Sequence, residues 1–201
     1  MPNTTEQNTT DLDLQIANKA LTKLGLPTIQ SFDSQEEAAR LAYAIFETVR
    51  DYELATYPWA FAIKRTELTA LTEAPAFGYK FQYALPTDFL RLEGIYNCGG
   101  ADKNAYELEG NNLLTDIGAP LQIRYISREL DTVKWPPYFV EALATKLAYE
   151  MCERLKQDPQ RKSILWQEYQ AIIGTAKRCN AIQLAVKDIR PGSWELAHDE
   201  E

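Results

Sequence analysis

Between Tyr138 and Lys156, in YFVEALATKLAYEMCERLK, apolar residues fall at Phe139, Val140, Leu143, Ala144, Leu147, Ala148, Met151, Cys152 and Leu155. That spacing gathers them on one face of an α-helix. Pro136 and Pro137 suit the first turn, where a missing N–H costs nothing, and Asp158 before Pro159 is pushed out of helical angles. Both ends of the helix are therefore marked. Alanines in the stripe let another helix approach closely, while Glu141, Lys146, Glu150, Glu153 and Arg154 define an opposite face expected to stay in solvent. A helix striped in this way requires partners.

Three further helices are readable. Thr10 with Asp13 reads as a capping pair, and Leu12, Ile16, Ala17, Ala20, Leu21 and Leu24 form a stripe that stops at Gly25. Residues 1–10 ahead of it read as a flexible leader. Ser34 and Glu37 in SQEE form a second capping box before Ala38, Leu41, Ala42, Ile45, Phe46, Val49 and Tyr52, and Pro58 ends that helix near Tyr57. Asp158 is a good N-cap for a fourth helix carrying Leu165, Tyr169, Ile172, Ala176 and Cys179 on one face. Residues 184–201, with Ile189-Arg190-Pro191-Gly192 and an acidic end, read as an extended tail.

The period changes in between. Trp59, Phe61 and Ile63 alternate with smaller or charged neighbours, as do Tyr79, Phe81 and Tyr83, which predicts extended strands. A turn at Pro86–Asp88 precedes a strand through Leu90 and Leu92 to Tyr96, with Gly94 as a candidate bulge. Gly99-Gly100, Gly110-Asn111-Asn112 and Gly118-Ala119-Pro120 divide the rest into short strands over Tyr106–Leu108, Leu113–Thr115 and Leu121–Ile126. The expected class is α+β: a four-helix bundle of two N-terminal and two C-terminal helices (11–58 and 134–183), with a central antiparallel sheet or small open barrel as an insert over 59–133.

Chemistry is scarce in this inventory. The single histidine, His198, stands three residues from the last one, so no Ser or Cys triad assembles around it. Cys98, Cys152 and Cys179 are too few and too scattered for a disulfide framework or a zinc site. Neither a GxGxxG nor a GK[ST] phosphate loop occurs, and no cofactor is expected. Glu107 and Glu109 in YELEG point to one side of a strand and could serve as paired acids for glycan hydrolysis, but plain alternation on a solvent-facing strand explains them as well. Asp88 and Arg91 read as a local ion pair bracing a turn. Trp59, Tyr79, Phe81, Tyr83, Tyr96 and Tyr125 read as core lining in preference to base- or sugar-stacking groups. Trp194 has no evident home in its own fold and reads as a docking residue. A net charge of −8 disfavours a phosphate-gripping surface, although an acidic wall lets DNA slide past. No basic-plus-apolar leader and no run of membrane-spanning length is present, so synthesis in a cytoplasm is expected.

Three stretches together resemble the tail tubular protein A family of short-tailed bacteriophages, the head-to-tail adaptors. They are ANKALTKLGLPTIQSFDSQEEAARLAYAIFETVRDYELATYPWAFA, FQYALPTDFLRLEGIY and PLQIRYISRELDTVKWPPYFVEALATKLAYEMCERL. The likeness covers the chain from about Asp11 to Gln183 and is most specific at Leu24-Gly25 ahead of Ser-Phe-Asp-Ser, at Trp59-Ala-Phe-Ala, and at Leu85-Pro86 with Asp88 and Arg91.

What the resemblance implies is a virion protein, assembled in the host cytoplasm, that forms a ring between portal and tail nozzle. The ring is usually a dodecamer, with the subunit monomeric until it meets the portal. DNA crosses it without specific binding, and no membrane is engaged. By position, Ile189, Arg190, Pro191, Trp194 and Leu196 are the expected portal-docking residues. The turns containing Gly99, Gly100, Asp102, Lys103, Asn104, Asn111 and Asn112 are the expected nozzle-facing ones. The alternative is a glycan-degrading hydrolase using paired carboxylates, alone or in addition to the structural role.

Overall fold

Proline and aspartate set the longest-range order in this chain. In a computed structural model that describes residues 4–96 and 105–184, with side chains described from residue 11, α3 runs Pro137–Lys156 and α4 runs Pro159–Gln183. Gln157 between them takes a left-handed conformation (φ 52°), and the Asp158 carboxylate accepts from the backbone N–H groups of Gln160 and Arg161 at 3.0 Å. The helix stop and the next helix start are thus one device.

The first helix, α1, spans Thr4–Lys23. It ends on Gly25 (φ 66°), where Leu26 N–H donates to Leu21 C=O at 3.0 Å and Gly25 N–H to Thr22 C=O at 2.9 Å, a Schellman closure. Its start corrects the sequence reading: the residues taken as a leader are helical from Thr4, and Thr10 lies inside the helix, so it does not cap. Helix α2 covers Glu37–Thr56. Its expected capping box does not form either. Ser34 Oγ accepts from Glu36 N–H at 3.4 Å, and Glu37 turns away to pair with Arg154 on α3 at 2.7 Å.

Helix α3 packs against α1, α2 and α4, and all four contribute to one apolar cluster that includes Ile16, Leu21, Phe46, Leu54, Phe139, Leu143, Leu147 and Leu165. The buried face of α2 is rotated from the expected stripe: Ala39, Ala42, Phe46, Val49, Arg50, Glu53 and Leu54 face inward, leaving Leu41 and Ile45 half-buried and Tyr52 outside. Arg50 and Glu53 occupy inward positions that polarity alone assigns to solvent.

Trp59 does not begin a strand. A single 3-10 turn, Ala60–Ala62, follows it, and the indole is fully buried among the helices, edge-on to Phe139 at 5.1 Å, with its N–H donating to Glu53 C=O at 2.8 Å. Asn180 on α4 closes this junction: its side-chain oxygen accepts from Ala60 N–H at 2.8 Å and its NH₂ donates to Pro58 C=O at 3.0 Å.

Among the described residues the β part is divided between two sheets. Strands β1 (Ile63–Leu68), β3 (Phe89–Ile95) and β6 (Leu121–Ser127) make one antiparallel sheet in the order β1-β6-β3; β2 (Phe81–Ala84), β4 (Tyr106–Glu109) and β5 (Asn112–Thr115) make a second in the order β2-β5-β4. Alternation along β6 divides its work, since Leu121, Ile123 and Tyr125 enter a core shared with Tyr83 and Leu113 of the second sheet, whereas Ile126 joins the helical core. Register shifts interrupt the β3–β6 ladder at Phe89/Arg91 and at Leu92/Gly94, so the bulge expected at Gly94 is present. The turn at Gly110-Asn111 joins β4 to β5, with Gly110 at φ 57°. Among the described residues the fold is α+β, with four α-helices and two three-stranded antiparallel sheets.

Candidate functional site

The densest polar chemistry lies where α2, α3 and α4 meet. Glu53 is 1% exposed, and the Tyr169 hydroxyl donates to its two carboxylate oxygens, at 2.8 and 3.0 Å. Burial pushes the Glu53 carboxyl above the ordinary carboxylate range; the Tyr169 hydrogen bond and the nearby Lys146 charge only partly oppose this. Tyr169 is likewise pushed far up, by burial first and by Glu53 second. Above them sits the Lys146 ammonium, 5.0 to 5.8 Å from the ring centres of Tyr52, Tyr149, Trp166 and Tyr169 and 2.8 Å from Glu150. Lys146 was expected in solvent, yet only 13% of its side chain is exposed, because the rings attract the cation while its stem covers apolar surface.

Next to this cluster the unburied half of the α2 stripe is open. Leu41, Ile45, Thr48, Val49 and Tyr52, with Lys146 and Glu150, line a groove of about 400 Å³. A second recess, about 360 Å³, lies beside α1 and is lined by Asp13, Phe32, Tyr43, Phe46, Glu47 and Arg50, among others. Asp13 Oδ1 is buried there without a hydrogen-bond partner. Burial raises the Asp13 carboxyl to about 6, with Arg50 pulling it down and Glu47 pushing it further up. Arg50 is committed to Asp51 at 2.9 Å, and Asp51 also binds Arg128, at 2.7 Å, tying α2 to the segment after β6.

On the β side the expected pairing of Asp88 with Arg91 is not made. Asp88 accepts instead from Lys64 Nζ at 2.8 Å and from the Tyr125 hydroxyl at 3.0 Å, while Arg91 pairs with Glu93 at 2.6 Å. The strand alternation explains the change: Asp88 lies in the turn before β3, where its carboxylate meets side chains of β1 and β6. Burial alone raises Asp88, but the hydrogen bonds from Lys64 and Tyr125 outweigh it and the carboxyl is lowered. Tyr125 is raised to about 12, by burial and then by Asp88. Glu107 and Glu109 share the exposed side of β4, and no cavity described above includes them.

Of the expected core aromatics, Trp59, Tyr83 and Tyr125 are buried, whereas Tyr96 is half exposed. Asn111 and Asn112 lie together at the β4–β5 turn, Asn111 exposed and Asn112 half-buried. Gly99, Gly100, Asp102, Lys103 and Asn104 lie outside the described residues, as do Ile189, Arg190, Pro191, Trp194, Leu196, Cys98 and His198. Cys152 is buried and Cys179 half-buried, both as free thiols. Among the described residues no three His, Cys, Asp or Glu side chains are placed to share a metal ion, and no helix is long and apolar enough to cross a membrane. The Glu53–Tyr169–Lys146 group is absent from the sequence reading; its one signal was Glu53 falling four residues after Val49, in phase with Ala42, Phe46 and Val49.

No family model matches the chain, and no curated protein matches it.

Proposed function

We propose that this chain is a structural head-to-tail adaptor of a short-tailed phage or prophage, a virion protein whose copies form a ring between portal and tail nozzle. Its four helices act as a bundle flanking the β-structured insert. The observation that carries the reading is where large apolar side chains remain uncovered. Tyr43 and Tyr52 on α2, Ile164, Trp166 and Ile182 on α4, and Phe77 and Leu108 on the β side are all more than 40% exposed, while the polar groups at the helical centre are spent on one another. Such a distribution suits a subunit that completes its surface against neighbours at several places. A net charge of −8 suits a channel that DNA must cross without sticking.

In this reading Ile189–Leu196 engages the portal, and the turns at 99–104 and 110–112 face the nozzle. Mixing the purified protein with its cognate portal ring and imaging by electron microscopy is expected to show a second ring stacked on the first. Removing residues 188–201 is expected to abolish stacking and to leave thermal unfolding nearly unchanged, since the segment contributes only a small, displaceable contact to the isolated subunit. Repeated failure of the full chain to stack would defeat the adaptor. Turnover of peptidoglycan that vanishes in Glu107→Gln or Glu109→Gln would establish the hydrolase in its place.

A further inference from the structure

The groove beside Lys146 is built like a receptor for a short apolar segment. Its α2 wall, Leu41 to Tyr52, repeats at steps of three and four residues, so it runs straight for about 16 Å along the helix. Tyr52 stands 57% exposed at one end, and among the described residues only α2 and α3 line the opening. Lys146 and Glu150 of α3 complete the lining, with the ammonium already held by Glu150 at 2.8 Å and by the four rings, Tyr52 among them. An apolar side chain entering here meets aliphatic and aromatic surface without having to strip a charge of its partners.

The chain leaves the described fold close by. Leu184 is the last described residue, and Gln183 before it accepts from the Tyr138 hydroxyl at 3.3 Å, which fixes the end of α4 beside the start of α3. Lys146 lies eight residues further along α3, about 12 Å away along the axis. Residues 185–193 extended span up to about 30 Å, so Trp194 reaches the groove without strain. Ile189, Trp194 and Leu196 supply the apolar side chains, and covalent attachment gives them an effective concentration in the millimolar range.

The geometry points to residues 189–196 of the same chain as the occupant of this groove before assembly, with Trp194 seated between Ile45 and Tyr52. The docking stands on the groove and the reach alone. Its consequence rests on the adaptor reading: the segment assigned to the portal is held back on its own subunit until the portal competes for it, which keeps the free chain from assembling.

The test uses the full chain without portal, following the methyl NMR signals of Leu41, Ile45 and Val49. Replacing Trp194 by Ala is expected to shift these signals, because the indole ring current is lost, and to leave the methyls of Leu113 and Leu121 in the sheet core unmoved. In a Tyr52→Ala background, which removes one wall through an already exposed side chain, adding Trp194→Ala is expected to shift the Leu41, Ile45 and Val49 methyls far less than it does in the unaltered chain. Identical groove spectra with and without Trp194 overturn the proposal. A Trp194-dependent shift that fades on dilution also overturns it, by assigning the groove to a second copy. If the shift is present and undiluted but the cognate portal still gathers no second ring, the docking stands and the adaptor reading falls.

Discussion

The Tyr169 hydroxyl reaches across 116 residues of sequence to donate to both carboxylate oxygens of Glu53, a group 1% exposed. It is a polar link between α2 and α4, and it places a carboxyl where desolvation is costly and one donor compensates only in part. Replacing Tyr169 by Phe leaves that carboxyl without the hydroxyl and is expected to cost about 3 kcal/mol in urea unfolding at neutral pH. Because the Glu53 carboxyl is raised in the folded state, the loss should shrink as pH falls and the group becomes protonated. Adding Glu53→Gln to Tyr169→Phe is expected to recover part of it; a double mutant worse than Tyr169→Phe alone counts against this account.

Asp13 has the opposite economy, a buried oxygen with nothing to accept from. Its folded value of about 6 lies above the ordinary 3.8, so the native state binds its proton more tightly than the unfolded chain. The sign follows: ionisation penalises the fold above about pH 6, and the penalty disappears as pH falls toward 3.8. Asp13→Asn is therefore expected to stabilise the protein by about 1 kcal/mol at pH 8, after discounting for solvent screening. That gain should vanish near pH 4, as the difference between variant and wild-type unfolding curves would show.

Asp88 titrates the other way. Lowered by Lys64 and Tyr125, its carboxylate contributes stability that is present above 3.8 and lost as pH falls through its lower folded value. Asp88→Ala is expected to cost about 2 kcal/mol at neutral pH, and Asp88→Asn, which keeps an acceptor for the Tyr125 hydroxyl, about half of that. Chemical denaturation at pH 7 and in strong acid separates the two, since the wild type should lose its advantage in acid.

Trp59→Ala removes a fully buried indole from among the helices and takes one of two side-chain donors from the Glu53 carbonyl, leaving it the Thr56 hydroxyl, and is expected to cost about 4 kcal/mol. Trp59→Phe keeps most of the ring packing and should cost less. Both are measurable by the midpoint shift in urea at constant m-value.

Where punctuation residues act locally, the sequence was readable. Pro137, the Asp158-Pro159 pair, Gly25 and Gly110 dictate backbone geometry that no distant contact overrides, and the elements they bound fall where expected. Reading failed where a distant partner outbid a local one. Glu37 prefers Arg154 to its own cap, Asp88 prefers Lys64 and Tyr125 to Arg91, and Trp59 prefers the helical core to a sheet. The phase of α2 failed for a related reason: Arg50 and Glu53 find partners inside the fold, so two charged residues take the buried face and Leu41, Ile45 and Tyr52 are left to form the groove. The candidate site was thus invisible in sequence because it consists of what the interior displaced.

Asn180 fastens the last turns of α4 to Pro58 and Ala60, at the seam where helical chain gives way to β1. A pull applied beyond Leu184 can unwind α4 only as far as Asn180 before it loads that seam. Tension is divided between the helices and the strand that follows, and whatever tugs on this chain from that side tugs on both halves together.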